Sequence, residues 1–466
     1  MESKIEHEKK VLDIQNQLKN WNGSNKKKRV RVYHRSTNST RSINNQDYYF
    51  IDISALNQIL EINTEEMYVL VEPNVSMEYL VNKTLQYGLI PPIVMEFPGI
   101  TVGGGVQGGA GECSSFHYGL FDDICEEYEV ILGDGRKIMV SKKKNADFFR
   151  ATPGSYGSLG IITMVKLRLI LAKKYVHLKY LRVNDFKKAI DLIGEETKKN
   201  HQYIDAIFFK KDLGVVMIGD LSNERLKKTK TFLNFNDDWF YLHARKLVNE
   251  FTFYEEVIPI KDYLFRYDKG AFWAGKLVCN RFYIPFNKFF RLINNPLFIS
   301  KTLYKLLHAT NISQDYIIQD ICLPKSTSID FLRYIDQEIM IYPLWICPIS
   351  PSRIKKLSPS YIKTDLIMNI GMYGEMGNRK DYFKINRDIE LMTSKLGGRK
   401  VFYAHSYYPQ KEFWRIYNLG WYEKLRTKYQ ADKTFPSIYE KIFVGKAYKR
   451  SIIKGLIGYL RKRFGL

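Results

Sequence analysis

The residues that most clearly could bind a ligand are the glycines between Thr101 and Cys113, where six glycines fall within 13 residues. A backbone without side chains can approach a ligand closely and turn its N–H groups towards phosphate oxygens. The spacing also matches the dinucleotide fingerprint G-x-G-x-x-G. However, Pro98 and Gly99 interrupt the preceding strand, and more glycines follow where that fingerprint should open an amphipathic helix. We therefore interpret the segment as a ligand-binding loop outside a Rossmann fold; a structural turn without a ligand is the alternative.

Two further loops of small residues accompany this block. Residues 151–163 contain three glycines and run directly into a strand, about 50 residues downstream of the first block. Upstream, residues 34–42 combine hydroxyls and amides with the guanidinium groups of Arg35 and Arg41, a combination that suits a pyrophosphate. Loops arranged in this way can enclose a long ligand from two sides.

The chain from Arg29 to about Ala172 alternates short strands and helices. Helices are predicted at residues 1–21, Ser54–Leu60 and Ser76–Tyr87, and strands at Arg29–Tyr33, Tyr48–Ile53, Met67–Glu72 and Ile161–Leu171. Glu129–Leu132 and Lys137–Val140 flank Gly133-Asp134-Gly135, which is a strong hairpin signal. These elements predict an α+β domain of about 150 residues.

The pattern changes at Lys173-Lys174, where strand, helix, strand and strand follow one another and predict an antiparallel sheet. Downstream strands are predicted at Tyr175–Val183, Ile204–Phe209, Val215–Gly219, Tyr316–Leu323, Leu344–Pro348, Leu366–Met372 and Val401–Tyr407. Helices are predicted at Phe186–Lys198, Ser328–Glu338 and Tyr382–Leu396. Between these groups, residues 230–312 are dense in aromatic residues.

Composition limits the classes of protein that remain. The 466 residues carry a formal net charge of +23, and their 45% hydrophobic content excludes disorder of the whole chain. Five scattered cysteines without a C-x-x-C pair exclude a disulfide scaffold and a thiolate zinc site, so we expect no metal. No stretch approaches the roughly 18 to 20 apolar residues of a spanning helix, and the N-terminus lacks a signal peptide. We expect a cytoplasmic protein that is not secreted.

The C-terminal tail, residues 441–466, has eight Lys or Arg and no acid. Ile453, Leu456, Ile457, Leu460 and Phe464 fall at helical spacing on one face, with basic residues among and beside them. This pattern predicts an interfacial helix on an anionic membrane surface, and hence a protein peripheral on a membrane. A solvated basic tail and a helix docked on its own protein are the alternatives.

Three motifs carry a resemblance to a known family. A Thr-Val-Gly-Gly block followed by Tyr-Gly-Leu-Phe-Asp-Asp, a Glu-Val-Ile-Leu-Gly-Asp-Gly hairpin and a Gly-Ser-Leu-Gly-Ile-Ile-Thr loop resemble the FAD-binding domain of the vanillyl-alcohol oxidase/p-cresol methylhydroxylase superfamily. Within it, the protein resembles the delta(24)-sterol reductases over nearly its whole length. The specific segments lie after residue 340: Ile-Tyr-Pro-Leu-Trp-Ile-Cys-Pro, Asn-Ile-Gly-Met-Tyr-Gly-Glu and Tyr-Ala-His-Ser-Tyr.

The resemblance implies an α+β fold in which a two-subdomain FAD-binding domain is joined to an α+β cap domain with an antiparallel sheet. It divides the sequence into an N-terminal helix (1–22), an FAD-binding domain (23–172), a substrate or cap domain (173–440) and the basic tail (441–466). It implies non-covalent FAD, bound by these residues: Arg35, Ser36, Thr37, Asn38, Ser39, Thr101, Val102, Gly103, Gly104, Gly105, Val106, Gln107, Gly108, Gly109, Ala110, Gly111, Glu112, Cys113, Ser114, Ser115, Gly154, Ser155, Gly157, Gly160, Ile161 and Ile162.

The activity that the resemblance implies is reduction of a carbon–carbon double bond in the side chain of a sterol or other polyprenoid-type lipid. NADPH supplies a hydride through flavin N5, and a cap-domain acid supplies a proton. The candidate acids are Glu375, Tyr403, Tyr373 and His405, although His405 stands where the family has an acidic residue. An FAD-linked oxidase or dehydrogenase of an alcohol or sugar is the alternative on the same fold. Nucleic-acid binding is a third interpretation, which the absence of a recognised motif disfavours.

Overall fold

The architecture is taken from a computed structural model that describes residues 2–24, 28–35, 38–41, 47–226, 228–376, 381–452 and 455. Its first part contains helices α1 (Glu2–Ser24), α2 (Met77–Leu85), α3 (Val102–Gly108), α4 (Ser115–Tyr118) and α5 (Ala146–Ala151). The strands of this part are β1 (Arg29–Tyr33), β2 (Tyr48–Asp52), β3 (Ile59–Asn63), β4 (Tyr68–Val71), β5 (Leu89–Ile90), β6 (Cys125–Ile131), β7 (Lys137–Ser141), β8 (Ile161–Arg168) and β9 (Ile170–Leu171).

The second part begins at Tyr175. Its strands are β10 (Tyr175–Val183), β11 (Tyr203–Lys210), β12 (Leu213–Ser222), β13 (Phe253–Pro259), β14 (Tyr316–Pro324), β15 (Leu344–Ile349), β16 (Ile367–Glu375) and β17 (Arg399–Lys400). Its helices are α6 (Phe186–Glu196), α7 (Phe240–Glu250), α8 (Ile260–Leu264), α9 (Ala274–Arg281), α10 (Lys288–Asn294), α11 (Ser300–Thr310), α12 (Lys325–Tyr334), α13 (Tyr382–Lys395), α14 (Gln410–Tyr417), α15 (Leu419–Lys428) and α16 (Ile438–Ile442).

Two antiparallel sheets organise the described residues. The first sheet has the order β3-β4-β8-β6-β7, and the second has the order β13-β10-β12-β11-β15-β16-β14-β17. Strands β1 and β2 form a separate parallel pair beside α1. The predicted α+β class and the predicted antiparallel sheet of the second part are confirmed, and so is the hairpin of β6 and β7.

The second sheet separates two hydrophobic cores. Helices α6, α12 and α13 cover one face, where Phe186, Phe331 and Ile389 are buried together. The opposite face joins a larger core that continues through α7, α8 and α9 into the first part of the molecule. Because one core runs through both parts, the two sheets are held in a fixed relation, and a cavity between them can be shaped by both.

The C-terminal segment returns to the first part of the molecule. Tyr422 Oη donates to Ser158 Oγ at 2.8 Å, and Thr434 Oγ1 donates to the carbonyl of Gly133 at 2.9 Å. Helix α16 begins with a capping box in which Ser437 and Glu440 satisfy each other's backbone N–H groups. This return places the first residue of the predicted tail, Lys441, beside the glycine-rich loops.

Three sequence predictions of local structure are wrong. Ser54–Leu60 is not a helix, since β3 begins at Ile59 and pairs with β4. Residues 401–407 form a loop with an isolated bridge at Ser406, because their carbonyls accept hydrogen bonds from the 38–41 segment instead of from a strand. The glycine block does open a helix, α3, although it is only seven residues long. The amphipathic helix predicted for the tail lies outside the described residues.

None of the described helices is both long and apolar enough to cross a bilayer. The long helix α1 instead packs on the first sheet through one face, which buries Val11, Ile14, Leu18 and Trp21. On the same helix, the His7 ring lies between two buried carboxylates, 2.9 Å from Glu72 Oε1 and 3.1 Å from Glu129 Oε1. Burial opposes a charge on this ring, but the hydrogen bonds to Glu129 and Glu72 outweigh it and raise the pKa of His7 to about 9.

Replacing His7 by Gln should lower the free energy of unfolding by about 3 kcal/mol, because it removes the buried cation that lies between the two carboxylates and leaves them only their lysine partners, Lys10 and Lys137. The folded pKa of His7 is above its ordinary value near 6.5. Its stabilisation is therefore fully present below about pH 6.5 and is lost as pH rises through about 9. Urea unfolding of both proteins at pH 6 and pH 10 measures the effect. The difference should shrink at the higher pH, while Lys4→Ala, which removes an exposed ion pair, should change little at either pH.

Candidate functional site

A cavity of about 410 Å³ lies between the two parts of the molecule. On one side its wall consists of the three small-residue loops of the first part. On the other side are strands β14 and β16 of the second sheet and helices α9 and α11. The volume falls in the ordinary range for small-molecule and cofactor sites. Because both parts contribute to its wall, a ligand in the cavity would contact both the loops and the sheet.

The glycine block forms one wall of the cavity, and its glycines serve two different purposes. Gly103 packs so closely that an added Cβ would lie 2.7 Å from Pro73 Cβ, so its lack of a side chain serves packing. Gly108 differs, since an added Cβ would come no closer than 4.0 Å to the ring of Tyr156 and would project into open cavity space. Thr101 Oγ1 caps α3 by accepting from Gly104 N. The block therefore leaves free volume next to an ordered backbone.

Fifteen of the predicted cofactor-binding residues line the cavity: Asn38, Ser39, Thr101, Gly103, Gly104, Gly105, Gln107, Gly108, Gly109, Ala110, Gly111, Gly157, Gly160, Ile161 and Ile162. Nine others do not line it: Arg35, Val102, Val106, Glu112, Cys113, Ser114, Ser115, Gly154 and Ser155. Ser36 and Thr37 lie outside the described residues. The structure thus brings the three predicted loops together around one space.

The nine residues away from the cavity shape the loops. Val102 and Val106 are fully buried in the core, whereas Arg35 is exposed to solvent. The Cys113 thiol faces Tyr263 Oη at 3.6 Å, and burial raises its pKa. Gly154 adopts a positive φ of 77° against the backbone of Leu357, a conformation that favours glycine.

Three cations, which we call the cation cluster, line one end of the cavity: Arg31, Arg41 and Lys441. An added Cβ on Gly157 would lie 3.1 Å from Lys441 Nζ, so this ammonium group sits directly against the third loop. Lys441 forms no ion pair with any residue that the structure describes. Burial, together with Arg31 and Arg41, holds the pKa of Lys441 well below its usual range.

The cation cluster fits the diphosphate of FAD. Burial, together with the positive charge of Arg31, lowers the pKa of Arg41 to about 10. Like charges enclosed together destabilise one another unless an anion lies between them. A diphosphate would supply this anion, and backbone N–H groups of the glycine loops could donate to its oxygens. The donor groups and the free volume beside Gly108 are therefore those that a dinucleotide needs.

Aromatic side chains line the other end of the cavity, with Phe97, Phe272, Tyr304, Trp345 and Tyr373 on its walls. Phe272 stacks on the Tyr267 ring at 4.2 Å and on the Tyr373 ring at 5.5 Å. Phe272 adopts a positive φ of 61°, a conformation that costs energy for an L-residue with a bulky side chain. Stacking on both sides offsets this cost and fixes an aromatic wall.

Buried acids lie on this same aromatic wall. Tyr373 Oη donates to Asp320 Oδ2 at 3.1 Å, and Tyr403 Oη donates to Tyr373 Oη at 3.2 Å. Asn369 Nδ2 donates to the other oxygen of Asp320 at 3.3 Å. Burial raises the pKa of Asp320 to about 6, even though the hydrogen bonds from Tyr403, Tyr373 and Asn369 favour the carboxylate. This carboxyl can therefore gain and lose a proton near neutral pH.

A second carboxyl, Glu96, reaches the cavity from the first part of the molecule. Burial raises the pKa of Glu96 well above its usual range, and the neighbouring carboxyl of Glu112 raises it further. Burial also raises the pKa of Glu112. Two carboxyls that share a buried site cannot both ionise readily, so the site favours retention of a proton.

The structure brings two of the four predicted proton donors to the cavity, Tyr373 and Tyr403. Glu375 is exposed at the end of β16 and does not reach the cavity. His405 is buried behind the wall, 3.1 Å from Tyr448 Oη. Burial, with Arg41 nearby, holds its pKa well below the usual range, so its ring is neutral. Neither Glu375 nor His405 is placed to give a proton to a ligand in this cavity.

The sequence did not predict four charged or titratable residues that line the cavity: Arg31, Glu96, Asp320 and Lys441. The signal that could have found Asp320 is an acid in the middle of an apolar strand, which is unusual unless the acid faces a site. Lys441 was counted only among the basic residues of the tail. Its position beside Gly157 depends on the return of the C-terminal segment, which no local pattern reveals.

Comparisons with known proteins agree with this geometry. Residues 12–141 match the family model described as an FAD binding domain. The sequence is 30% identical to the delta(24)-sterol reductase of Mus musculus over 94% of this chain and 86% of the relative. The corresponding protein of Homo sapiens is 29% identical over the same shares. That of Arabidopsis thaliana is 30% identical over 87% of this chain and 78% of the relative.

Replacing Gly108 by Val should lower the FAD content of the purified protein at least tenfold, because the new methyl groups would occupy open cavity space. The fold should be retained, since no atom except the Tyr156 ring lies near the added Cβ. Flavin absorbance per protein and thermal unfolding of the apoprotein measure the two effects. Gly420→Val, at an exposed helix position, is the matched control. Normal FAD content in Gly108→Val would show that the ligand does not lie on this wall.

Proposed function

This protein belongs to the delta(24)-sterol reductase family and is an FAD-dependent oxidoreductase, and we propose that it reduces a carbon–carbon double bond in the side chain of a sterol with a hydride from NADPH. The observation that supports this proposal is a single cavity with two chemically different ends. The cation cluster suits a dinucleotide diphosphate, and the aromatic end suits a flat, apolar ring system. Two acids with raised pKa values lie at the apolar end, where a proton would be needed.

We propose that the cofactor end of the cavity binds FAD through fixed positive charges and through free volume beside the glycine loops. Arg31, Arg41 and Lys441 would hold the diphosphate, and Gly108 would leave room for the rest of the molecule. FAD held there would supply hydride transfer, from NADPH to one carbon of the alkene. We propose that the cavity-lining residues of the three loops form the cofactor site. The division into an FAD-binding domain and a cap domain is also a proposal.

The apolar end is proposed to bind the sterol and exclude water. Protonation of a trisubstituted alkene takes place at its less substituted carbon, so positive charge develops at the tertiary carbon, where the hydride is added. Aromatic rings that line this end of the cavity, among them Tyr304 and Trp345, can stabilise this charge through their π electrons. Water would compete for the cation, and an aromatic wall keeps it away.

The proton is proposed to come from Asp320 through Tyr373. When Asp320 is protonated, its Oδ2–H can donate to Tyr373 Oη, and Tyr373 can then give its own phenol proton to the alkene. Tyr403 holds Tyr373 in position through a hydrogen bond of 3.2 Å between the two hydroxyls. The source of the proton is therefore a carboxyl, and the phenol is the group that meets the substrate. After the transfer, Asp320 is a carboxylate and takes up a proton from solvent.

Membrane association was predicted from residues 441–466, about half of which lie outside the described part of the protein. We keep the anionic membrane surface as a proposed partner, because the proposed substrate is a lipid. Residues 441–452 and 455 are described, and these include none of the five apolar residues that define the predicted amphipathic face.

The proposed activity predicts a specific order of spectral changes. The purified protein should show a flavin spectrum, NADPH should bleach it without oxygen, and desmosterol should then restore it. Stopped-flow absorbance measures both steps. A sugar alcohol in place of NADPH is the comparison, since an oxidase or dehydrogenase on this fold would be bleached by it. Bleaching by NADPH without recovery on adding desmosterol would contradict the sterol substrate but not the reductase.

Replacing Asp320 by Asn should slow the recovery with desmosterol at least 100-fold and leave bleaching by NADPH nearly unchanged, since only the second step needs the proton. In the wild type, the recovery rate should fall as pH rises above about 6, because the donor must be protonated. This pH dependence should be lost in Asp320→Asn. Tyr373→Phe should also slow recovery, whereas Glu375→Gln, which alters an exposed carboxyl, should not.

Glu96 offers an internal check of this assignment. Glu96→Gln removes the other carboxyl of the cavity with little change of volume. If Glu96→Gln abolishes the pH dependence and Asp320→Asn preserves it, the proton comes from Glu96 and the Asp320 proposal is wrong. Retained FAD content in both variants shows that the cavity is intact.

A further inference from the structure

A basic and aromatic surface lies beside the apolar end of the cavity. From Ala271 to Ile312 the sequence has six Lys or Arg and no acid, whereas acids make up 49 of the 466 residues of the protein. Across 42 residues, the overall average would give four or five acids, so their absence is a distinct local feature. The sign of the charge favours an anionic partner.

The same segment exposes large apolar side chains. The exposed fractions are 93% for Tyr283, 65% for Phe289 and 57% for Ile293. These residues lie on α10 and on the turn before it, and α10 has no buried residue. Single exposed apolar residues are ordinary, but three large ones within 11 residues form a patch that normally marks an interaction surface. We call Tyr283, Phe289 and Ile293 the docking surface.

The docking surface continues into the cavity. Phe282, the neighbour of Tyr283, lines the cavity, as do Leu277 and Val278 of α9. Leu303 and Leu307 of α11 line it from the other side. An apolar molecule on the docking surface would therefore lie next to residues whose apolar side chains line the cavity.

The C-terminal segment reaches the same region. Ser451 N donates to the carbonyl of Thr310 at the end of α11, and Arg450 pairs with Asp315 at 2.6 Å. The described residues at the basic C-terminal end are thus placed on the side of the molecule where α11 ends. Positive charge from two distant parts of the sequence is gathered there.

We propose that Tyr283, Phe289 and Ile293 insert into an anionic lipid leaflet, so that a lipid substrate enters the cavity from the membrane between α9 and α11. Apolar side chains would enter the acyl region, and Lys276, Arg281 and Lys288 would meet the headgroups. A second copy of this protein is a poor occupant, because residues 271–312 carry six Lys or Arg and no acid that could pair with the same segment of another copy. The entry of substrate rests on the proposed sterol function, but the membrane contact does not.

Vesicle binding of the full-length protein tests the membrane contact without NADPH or sterol, so the result does not depend on the proposed function. The wild type should co-sediment with phosphatidylcholine vesicles containing phosphatidylserine, and less with vesicles of phosphatidylcholine alone. The triple variant Tyr283→Ser, Phe289→Ser, Ile293→Ser should bind at least tenfold more weakly. All three side chains are exposed, so thermal unfolding should change little.

The matched control is Tyr87→Ser, Leu171→Ser, Leu391→Ser, which removes side chains that are 56%, 71% and 51% exposed elsewhere on the molecule. It should bind vesicles like the wild type. Equal binding of the two triple variants would overturn the proposal. Absence of vesicle binding by the wild type, with a change from dimer to monomer in the docking-surface variant, would overturn it in favour of self-association.

Substrate entry is tested by comparing two presentations of desmosterol to the NADPH-reduced protein. The docking-surface variant should be reoxidised at least tenfold more slowly than the wild type by sterol in vesicles, and at the wild-type rate by sterol in detergent micelles. Equal slowing in both would show that these residues act on the cavity itself and would contradict entry from the membrane. Absence of reoxidation in the wild type would contradict the sterol function and leave the vesicle-binding result standing.

Discussion

The structure depends on an electrostatic conflict that its own described residues do not resolve. Arg31, Arg41 and Lys441 are enclosed around one end of a cavity, and each comes from a different segment of the sequence. Burial disfavours all three charges, and their mutual repulsion adds to the cost. A protein retains such an arrangement when a bound anion stabilises it, and FAD carries one. Binding of the anion would therefore also stabilise the contacts that bring these segments together.

The same contacts that orient the cations also orient the proposed proton path. The Arg41 guanidinium donates to the carbonyls of Phe402 and Ala404, and Thr40 N donates to the carbonyl of Tyr403 at 3.0 Å. The side chain of Tyr403 then points to Tyr373. A buried ion pair between Lys400 Nζ and Glu390 at 2.7 Å anchors the start of this loop. A shift of the phosphate-facing loop would consequently move the hydroxyl that positions Tyr373.

The sequence predicted the features that depend on local pattern. The glycine block, the β6–β7 hairpin and six strands of the second sheet have short-range signals and were located correctly. The strand predicted at residues 401–407 is absent, and β13 and β17 were not predicted. Ser54–Leu60 was misassigned because its apolar residues fit a helical face as well as the strand that begins at Ile59. Residues 401–407 have the composition of a strand, but their carbonyls are used by Arg41 and Thr40, a contact over more than 360 residues. Lys441 and Asp320 reach the cavity only through tertiary contacts of this kind.

The acids at the apolar end of the cavity, Asp320 and Glu96, are kept apart from cations. Among the described residues, none of the main contributions to the pKa of Asp320 or of Glu96 comes from a cation, and burial therefore favours their protonated forms. A large buried cation, Arg266, is paired with Asp205 at 3.0 Å and is also held over the Tyr263 ring. A cation such as Arg266 beside Asp320 would lower the pKa of that carboxyl and leave a smaller fraction of it protonated. The pair with Asp205 therefore satisfies this buried cation on a carboxylate other than Asp320.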